Sequence, residues 1–407
     1  MLRALAPALC LVFAGGLAAP NAQESLSPMP PTLDEVQAAL ASAVELLLSY
    51  QEDYVADPAI GRLPDARLAA WQDEERARLA ELRTGETPGS EWPYEGVYRV
   101  GRDRHIPAGY RVGGTAIACT ALMAAPGFEE DEARRAAVVR GVEVCRALVE
   151  DSPEMAPGPK RGYDVRGWGH AYALRLFARA LDAELLDEDQ TAKVRGLIPH
   201  LLHCLDINQT SRGGWNYAGD TPSPFMTGST LLTLYEVRER GYEVEESMLE
   251  AALDALEAGR VESGAYAYSG RGREPMAASA ARSSVAELAL WHAGRSDEER
   301  LRTSVRGFFD NWEHLLDRKS KQGTHEGAYS IAPYYFFFGH TYTALAIESL
   351  PEDERPAWRA RMAEHLWRTR EENGGWNDRI FPRSEGYGTA MVVLALMAPS
   401  LVERSEP

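Results

Sequence analysis

Two histidines hold matching places in this chain, in Gly169-His170-Ala171 and Gly339-His340-Thr341, each at the head of an apolar run. Histidine is the side chain whose charge changes nearest neutral pH, so a matched pair points to proton transfer or to the clasp of a ligand. The same two residues would equally serve as core histidines bonded to neighbouring loops. Flanking segments carry the carboxylates Asp164, Asp220, Glu326, Asp378 and Glu385, with Tyr334, Tyr335 and Arg379. They also carry the aromatic residues Trp168, Tyr172, Trp215, Tyr217, Tyr342, Trp376 and Tyr387. Carboxylates beside aromatic platforms suit saccharide chemistry, in which one acid protonates a leaving oxygen and a second acts as base or nucleophile. Arg282 stands in an otherwise apolar stretch, where an unpaired charge is costly. It is expected to pair with Glu287 or a loop acid, or to bind ligand.

The elements that must position these groups are repeated. Small-residue marks occur at Gly114-Thr115-Ala116, Gly169-His170-Ala171, Gly228-Ser229-Thr230, Ala278-Ser279-Ala280, Gly339-His340-Thr341 and Gly388-Thr389-Ala390. Each opens a run that is apolar or small on every side, the pattern of a helix buried all round. Between marks lie stretches with one apolar face, such as Glu246 to Ala258, which read as helices that meet water. The unit is therefore a helix pair. Its recurrence predicts an all-α, (α/α)6 toroid of six helical hairpins spanning 33–401, with inner helices wrapped by outer ones. Parallel inner helices would bring their amino ends, with free N–H groups and partial positive charge, to one mouth. Thr115, Ser229 and Thr389 are expected to cap their own helices there. In a hexagon with axes ~9.5 Å apart, facing backbones are separated by ~14 Å, so His170 and His340 reaching inward would leave a ligand-sized gap.

The first pair carries an insertion over 56–112, with a charged helix from Pro64 to Arg83 and an alternating, strand-like stretch from Trp92 to Val100. It reads either as a flap over one mouth or as packing at the seam between first and last units. The chain opens on Met1-Leu2-Arg3, a short apolar run and small residues, the layout of a signal peptide over 1–22. That predicts export to the periplasm or the extracellular space, and no later stretch reads as a membrane span. Cys119, Cys145 and Cys204 lie in apolar helical stretches and read as buried thiols or as one disulfide with one thiol left over. A net charge of -18 argues against nucleic acid as a partner. Asn208-Gln209-Thr210 is a formal glycosylation sequon. Nothing in the sequence fixes the oligomeric state.

Gln209-Thr210-Ser211-Arg212-Gly213-Gly214-Trp215 resembles the Gln-x-x-x-Gly-x-Trp repeat of squalene and hopene cyclases, and Arg370 to Trp376 resembles it without the Gln. Gly339-His340-Thr341-Tyr342-Thr343-Ala344-Leu345 is similar to a segment of protein prenyltransferase β subunits whose His binds zinc. The resemblance to this terpenoid cyclase and prenyltransferase-like superfamily implies the six-pair toroid. Its activities are not implied, because the Asp-x-Asp-Asp acid cluster of the cyclases and the Asp-x-Cys pair of the zinc site are missing, as is the Cys-Gly-Glu-Gln core of complement-type thioester domains. No metal and no cofactor is expected. The sequence thus predicts an exported toroid with an organic small-molecule or saccharide ligand in its central cavity. A carbohydrate-active hydrolase or lyase using loop carboxylates is an alternative, as is a non-catalytic interaction module. An apolar cavity, an open cleft with paired acids and a filled centre would distinguish the three.

Overall fold

The computed structural model describes residues 30–56, 62–84, 88–96, 105–158, 162–268 and 274–403. The signal segment and the far end of the strand-like stretch lie outside the described residues. The helices are α1 (Leu33–Ser49), α2 (Asp65–Arg83), α3 (Ala108–Ala124), α4 (Glu132–Asp151), α5 (Arg166–Asp182), α6 (Glu188–Ile207), α7 (Pro224–Glu239) and α8 (Glu246–Gly259). They continue with α9 (Met276–His292), α10 (Glu298–Asp310), α11 (Trp312–Leu316), α12 (Phe336–Ile347), α13 (Arg355–Trp367), α14 (Glu385–Leu396) and α15 (Ala398–Glu403). No strand occurs among the described residues, only isolated bridges such as Glu52 with Glu91. No helix among them is long and apolar enough to cross a membrane.

Helix α3 packs on α5, α5 on α7, α7 on α9, α9 on α12, α12 on α14, and α14 back on α3, which closes a ring of six. The ring helices run parallel. Heads meet heads: Gly109 at the start of α3 lies against Val165 before α5, and Gly388 in the first turn of α14 against Phe337 in the first turn of α12. Thr343 of α12 donates to Ser284 of α9 at 2.9 Å, and Thr341 of α12 to the Met391 carbonyl of α14 at 2.8 Å. Outer helices show the expected single face: α10 buries Leu301, Val305, Phe308 and Phe309 and turns its charges outward. Asp131, Asp187 and Asp297 cap α4, α6 and α10.

Inner helices have no side-chain cap, and the hydroxyls expected to supply one are employed elsewhere. Thr115, Thr227 and Thr389 accept the backbone N–H of Trp92, Trp215 and Trp376 at 2.9, 3.0 and 3.0 Å, and Ser279 accepts that of Tyr266 at 2.8 Å. Ser229 bonds back to carbonyls of its own helix. Each of these tryptophans also donates its indole N–H to a carbonyl near the end of the preceding outer helix: Trp92 to Leu47, Trp215 to Leu205 and Trp376 to Leu366. The loop is thus clamped to both layers. Glycine belongs to this device for two reasons. Gly213 takes φ +80 in the turn, where a Cβ would lie 2.0 Å from the Ala251 carbonyl oxygen. At Gly388 a Cβ would lie 2.3 Å from the Trp376 carbonyl oxygen, so the clamp closes only on a residue without a side chain. This close approach explains why the marks lie inside the inner helices rather than at their first residues.

The insertion makes both kinds of contact. Trp92 and Glu95 tie the seam, with Ser384 donating to the Glu95 carbonyl at 2.6 Å. Helix α2 lies over the loops of the last units, with Trp71 edge-on to Phe381 and Gln72 donating to the Ile380 carbonyl at 2.9 Å. Cys119, Cys145 and Cys204 are unpaired and buried, the thiol reading rather than the disulfide. Replacing Thr389 by Val should leave the buried Trp376 N–H without a partner. A loss of about 1–3 kcal/mol is expected in chemical denaturation, against little change for a Thr→Val at an exposed site.

Candidate functional site

Helices α5 and α12 are the second and fifth members of the ring and face each other across its axis. The side chains that meet there are Tyr172 and Tyr342, whose hydroxyls lie 2.9 Å apart. His170 and His340 do not reach the centre. They precede the tyrosines by two residues, a rotation of about 200° on a helix of 3.6 residues per turn, and so point between the layers. His170 donates from Nε2 to the Met155 carbonyl at 2.8 Å and accepts from Asn208 at Nδ1. His340 accepts the Trp312 indole N–H at Nε2 and donates from Nδ1 to the Phe336 carbonyl, at 2.8 and 2.7 Å. Both are locked neutral, and burial pushes their pKa values down to about 4 and about 3. The sequence-based clasp is replaced by two core histidines. Asn208 of the sequon is buried in the same arrangement.

The other sequence candidates divide between framework and mouth. Trp215 and Trp376 are fully buried in the clamps. Asp164 pairs with Arg166 at 2.7 Å and accepts its backbone N–H at 3.0 Å, Asp220 accepts the Ser211 N–H at 2.8 Å, and Glu326 pairs with Arg62 at 3.1 Å. Glu385 accepts from Asn373. Arg282 pairs with Glu274 and bonds the Tyr266 and Ala278 carbonyls, while Glu287 is taken by Arg260 at 2.7 Å. None of these carboxylates stands free as one of a catalytic pair.

What the structure gathers at the amino-end mouth is an aromatic cup. Tyr94, Tyr110, Trp168, Tyr217, Phe225 and Tyr387 surround a cavity of about 20 Å³, room for a single water. Tyr94 stacks on Tyr387 with centroids 3.9 Å apart, and Trp168 lies 5.9 Å from Tyr94 and 5.0 Å from Tyr172. Above the cup runs a crown of hydroxyls. Tyr110 meets Tyr163, Tyr217 meets Tyr268, and Tyr217 meets Tyr334 at 2.8 Å. Burial raises the pKa of these phenols, Tyr110 to about 12, so all are protonated donors at neutral pH.

His325 joins the crown. Its Nδ1–H donates to the Ser330 carbonyl at 3.1 Å, which leaves Nε2 as the acceptor facing the Tyr334 and Tyr217 hydroxyls at 2.8 and 3.2 Å. Its backbone sits at φ +53, a conformation non-glycine residues adopt rarely and at a cost. Burial, aided by the Arg282 charge and opposed by the Ser330 bond, lowers its pKa and keeps it neutral. Asp378 lies behind Tyr94, fully buried, with Oδ2 3.3 Å from the Tyr94 hydroxyl and no hydrogen bond at Oδ1. Burial lifts its pKa to about 7, against the pull of Arg379, Lys319 and Tyr94.

The sequence reading includes Tyr217 and Asp378 but lacks Tyr94, Tyr268 and His325. A register signal was present for two of the three. In Trp92-Pro93-Tyr94, Trp215-Asn216-Tyr217, Tyr266-Ala267-Tyr268 and Trp376-Asn377-Asp378, the residue two after the clamped aromatic is the one delivered to the mouth. Among the described residues no three His, Cys, Asp or Glu side chains converge as a metal site would need.

The closed ring of helix pairs makes this protein an α/α toroid. No protein-family model matches the sequence, and no curated protein does. Among solved structures the chain is similar to the type II terpene cyclase MstE from Scytonema, with 14% identity over 91% of this chain and 99% of that one and a TM-score of 0.49. It is similar to the Lin0763 protein from Listeria innocua, with 14% identity over 91% and 98% and a TM-score of 0.47. It is also similar to the GH76A alpha-1,6-mannanase from Salegentibacter sp. HEL1_6, with 13% identity over 83% and 99% and a TM-score of 0.45. At these identities and scores the toroid assignment rests on the ring itself, and function has to be argued from the site.

Replacing His340 by Ala should cost about 3 kcal/mol of stability in denaturant melts, since it removes a buried ring and orphans the Trp312 N–H. Asp378 has the opposite pH signature from these histidines. Its folded pKa of about 7 exceeds the ordinary 3.8, so the folded state holds the extra proton between those values and stability falls as pH rises through that window. The stability advantage of Asp378→Asn over wild type should therefore grow between pH 4 and pH 8, on the order of 4 kcal/mol in all, read from melts at the two pH values.

Proposed function

We propose that this is an exported toroid that binds an oxygen-rich organic ligand, a saccharide in the first instance, at the amino-end mouth of its central cavity. The observation that supports this reading is the stacking of two surfaces. A crown of protonated tyrosine hydroxyls offers donors to the oxygens of a sugar ring lying on it, and the aromatic cup packed beneath holds those hydroxyls in place. The parallel inner helices add partial positive charge at the same mouth, which favours oxygen acceptors. The enclosed space beneath the crown holds about one water, so a ligand would rest on the hydroxyl crown, a surface that suits sugar oxygens better than an isoprenoid chain.

His325 favours a second, catalytic reading on the same site. A neutral imidazole, oriented by Ser330 and aimed at two tyrosine hydroxyls, can take a proton while a phenol returns one. With each of Asp164, Asp220 and Glu326 held by a partner, proton transfer through His325 and the tyrosines suits an elimination better than the two-carboxylate route of hydrolysis.

The test is a panel of neutral and uronic-acid oligosaccharides, followed by calorimetry and by the fluorescence of wild type and variants. Binding should weaken at least tenfold in Trp168→Leu and in Tyr334→Phe, with the Tyr334→Phe melting temperature close to that of wild type. If no oligosaccharide binds, or if both variants bind like wild type, the reading fails. Where a saccharide is turned over, His325→Ala should lower kcat by about 10²–10⁴. Because the His325 pKa is lowered, wild-type activity should persist below pH 6.5, the ordinary histidine value, and fall only at more acid pH.

A further inference from the structure

The Tyr172–Tyr342 contact divides the barrel into two chambers, and the one at the carboxyl ends of the inner helices is much the larger. It has a volume of about 420 Å³, within the ~300–1,000 Å³ typical of small-molecule sites. Tyr172 and Tyr342 form its floor. Leu232, Leu288, Trp291, Leu345, Met391 and Leu394 make a continuous apolar wall.

Interrupting that wall is a group of charges with more arginine than carboxylate. Glu236 receives Arg179 at 2.6 Å, Arg175 at 3.1 Å and Arg240 at 3.3 Å, while Asp182 takes Arg240 at 2.5 Å. Three guanidiniums thus face two carboxylates, which leaves one positive charge. The Arg175 Nε is buried and makes no hydrogen bond, although it lies in ion-pair range of Glu236. At the rim Arg355 and Glu239 offset each other, and Glu348 is already taken by Arg359 at 2.9 Å. Carbonyls at the helix ends would repel an anion at the entrance. The uncompensated charge lies deeper, beside the tyrosine floor.

We infer that the carboxyl-end chamber is a second ligand site, distinct from the tyrosine mouth, that takes a fatty-acid-like monocarboxylate with its head on the Arg175–Arg179–Glu236 group and its chain along the leucine wall. A carboxylate there adds the missing negative charge and offers the bidentate geometry a guanidinium favours. The chain removes apolar wall from water, so each methylene should tighten binding about fourfold until the chamber is full.

Displacement of a fluorescent fatty acid by dodecanoate, tetradecanoate and dodecanol, with native mass spectrometry for stoichiometry, tests this on the full chain. Dodecanoate should bind one to one and at least tenfold more tightly than dodecanol. Arg175→Met should erase the difference between acid and alcohol, and Leu345→Trp, which narrows the chamber along its apolar wall, should weaken binding of both at least tenfold. Tyr334→Phe, at the opposite mouth, should bind dodecanoate like wild type, and a loss there would overturn the separation of the two sites. Equal affinity for dodecanoate and dodecanol in wild type, or a dodecanoate affinity unchanged in Leu345→Trp, would overturn the proposal. Because Leu345→Trp leaves every charge in place, the test stands even if Arg175→Met fails to fold.

Discussion

The hydrogen bond from a loop aromatic's backbone N–H to a hydroxyl inside an inner helix is the contact on which the rest of this toroid depends. It occurs at Trp92, Trp215, Tyr266 and Trp376, with Thr115, Thr227, Ser279 and Thr389 as acceptors. An inner helix of this kind has apolar side chains all round and offers no polar seam by which a loop could find its place. One buried hydroxyl supplies that reference, and an unsatisfied N–H in its stead would be expensive. Once the aromatic is fixed, the extended backbone that follows turns alternate residues to opposite sides. Tyr94, Tyr217 and Tyr268 are thereby delivered to the mouth, and Asp378 to its place behind Tyr94, by the same geometry that holds the layers together.

Legibility followed the same physics. The α/α toroid could be read because one-faced and all-round apolar helices alternate in a fixed period, and the observed ring closes through the six marked segments. The phase of an individual inner helix could not be read. A helix buried on every side has no polar face opposite an apolar one to say which residue faces the axis, so His170 and Tyr172 were equally eligible and the structure turns only the tyrosine inward. Thr115 and Thr389 resembled caps because capping residues and clamp residues are the same small hydroxyls. His325 had no local signal at all. Its importance comes from a left-handed backbone and from Tyr217, 108 residues earlier in the chain.

Charge is handled differently inside and outside the barrel. On the rim of the outer layer single arginines gather several acids: Arg302 takes Glu298, Glu299 and Glu354, and Arg295 takes Glu250, Asp254 and Glu257. Both bridge neighbouring outer segments in a protein of net charge -18. Such exposed pairs contribute little singly, though networks of them fix relative positions. Inside, His170 and His340 are kept neutral by burial, and Asp378 is left with one oxygen without a hydrogen bond. Buried polar atoms short of a hydrogen bond are spread along the barrel, with Asp378 Oδ1 behind the tyrosine mouth and Arg175 Nε in the carboxyl-end chamber among them.

The seam at Trp92 has a consequence for how the chain reaches this state. Ring closure joins α3 to α14, and Ser384 finds the Glu95 carbonyl 289 residues away. Every other neighbour in the ring is the next inner helix along the chain, so five of the six interfaces can form as an opening arc while only the sixth must wait for both ends. Contacts of such sequence separation are slow to form. An unclosed arc would expose the apolar faces of its first and last inner helices, and shortening the chain by its final pair would leave that arc permanently open. The toroid is in this sense a clasped bracelet, assembled link by link and made secure only at the clasp.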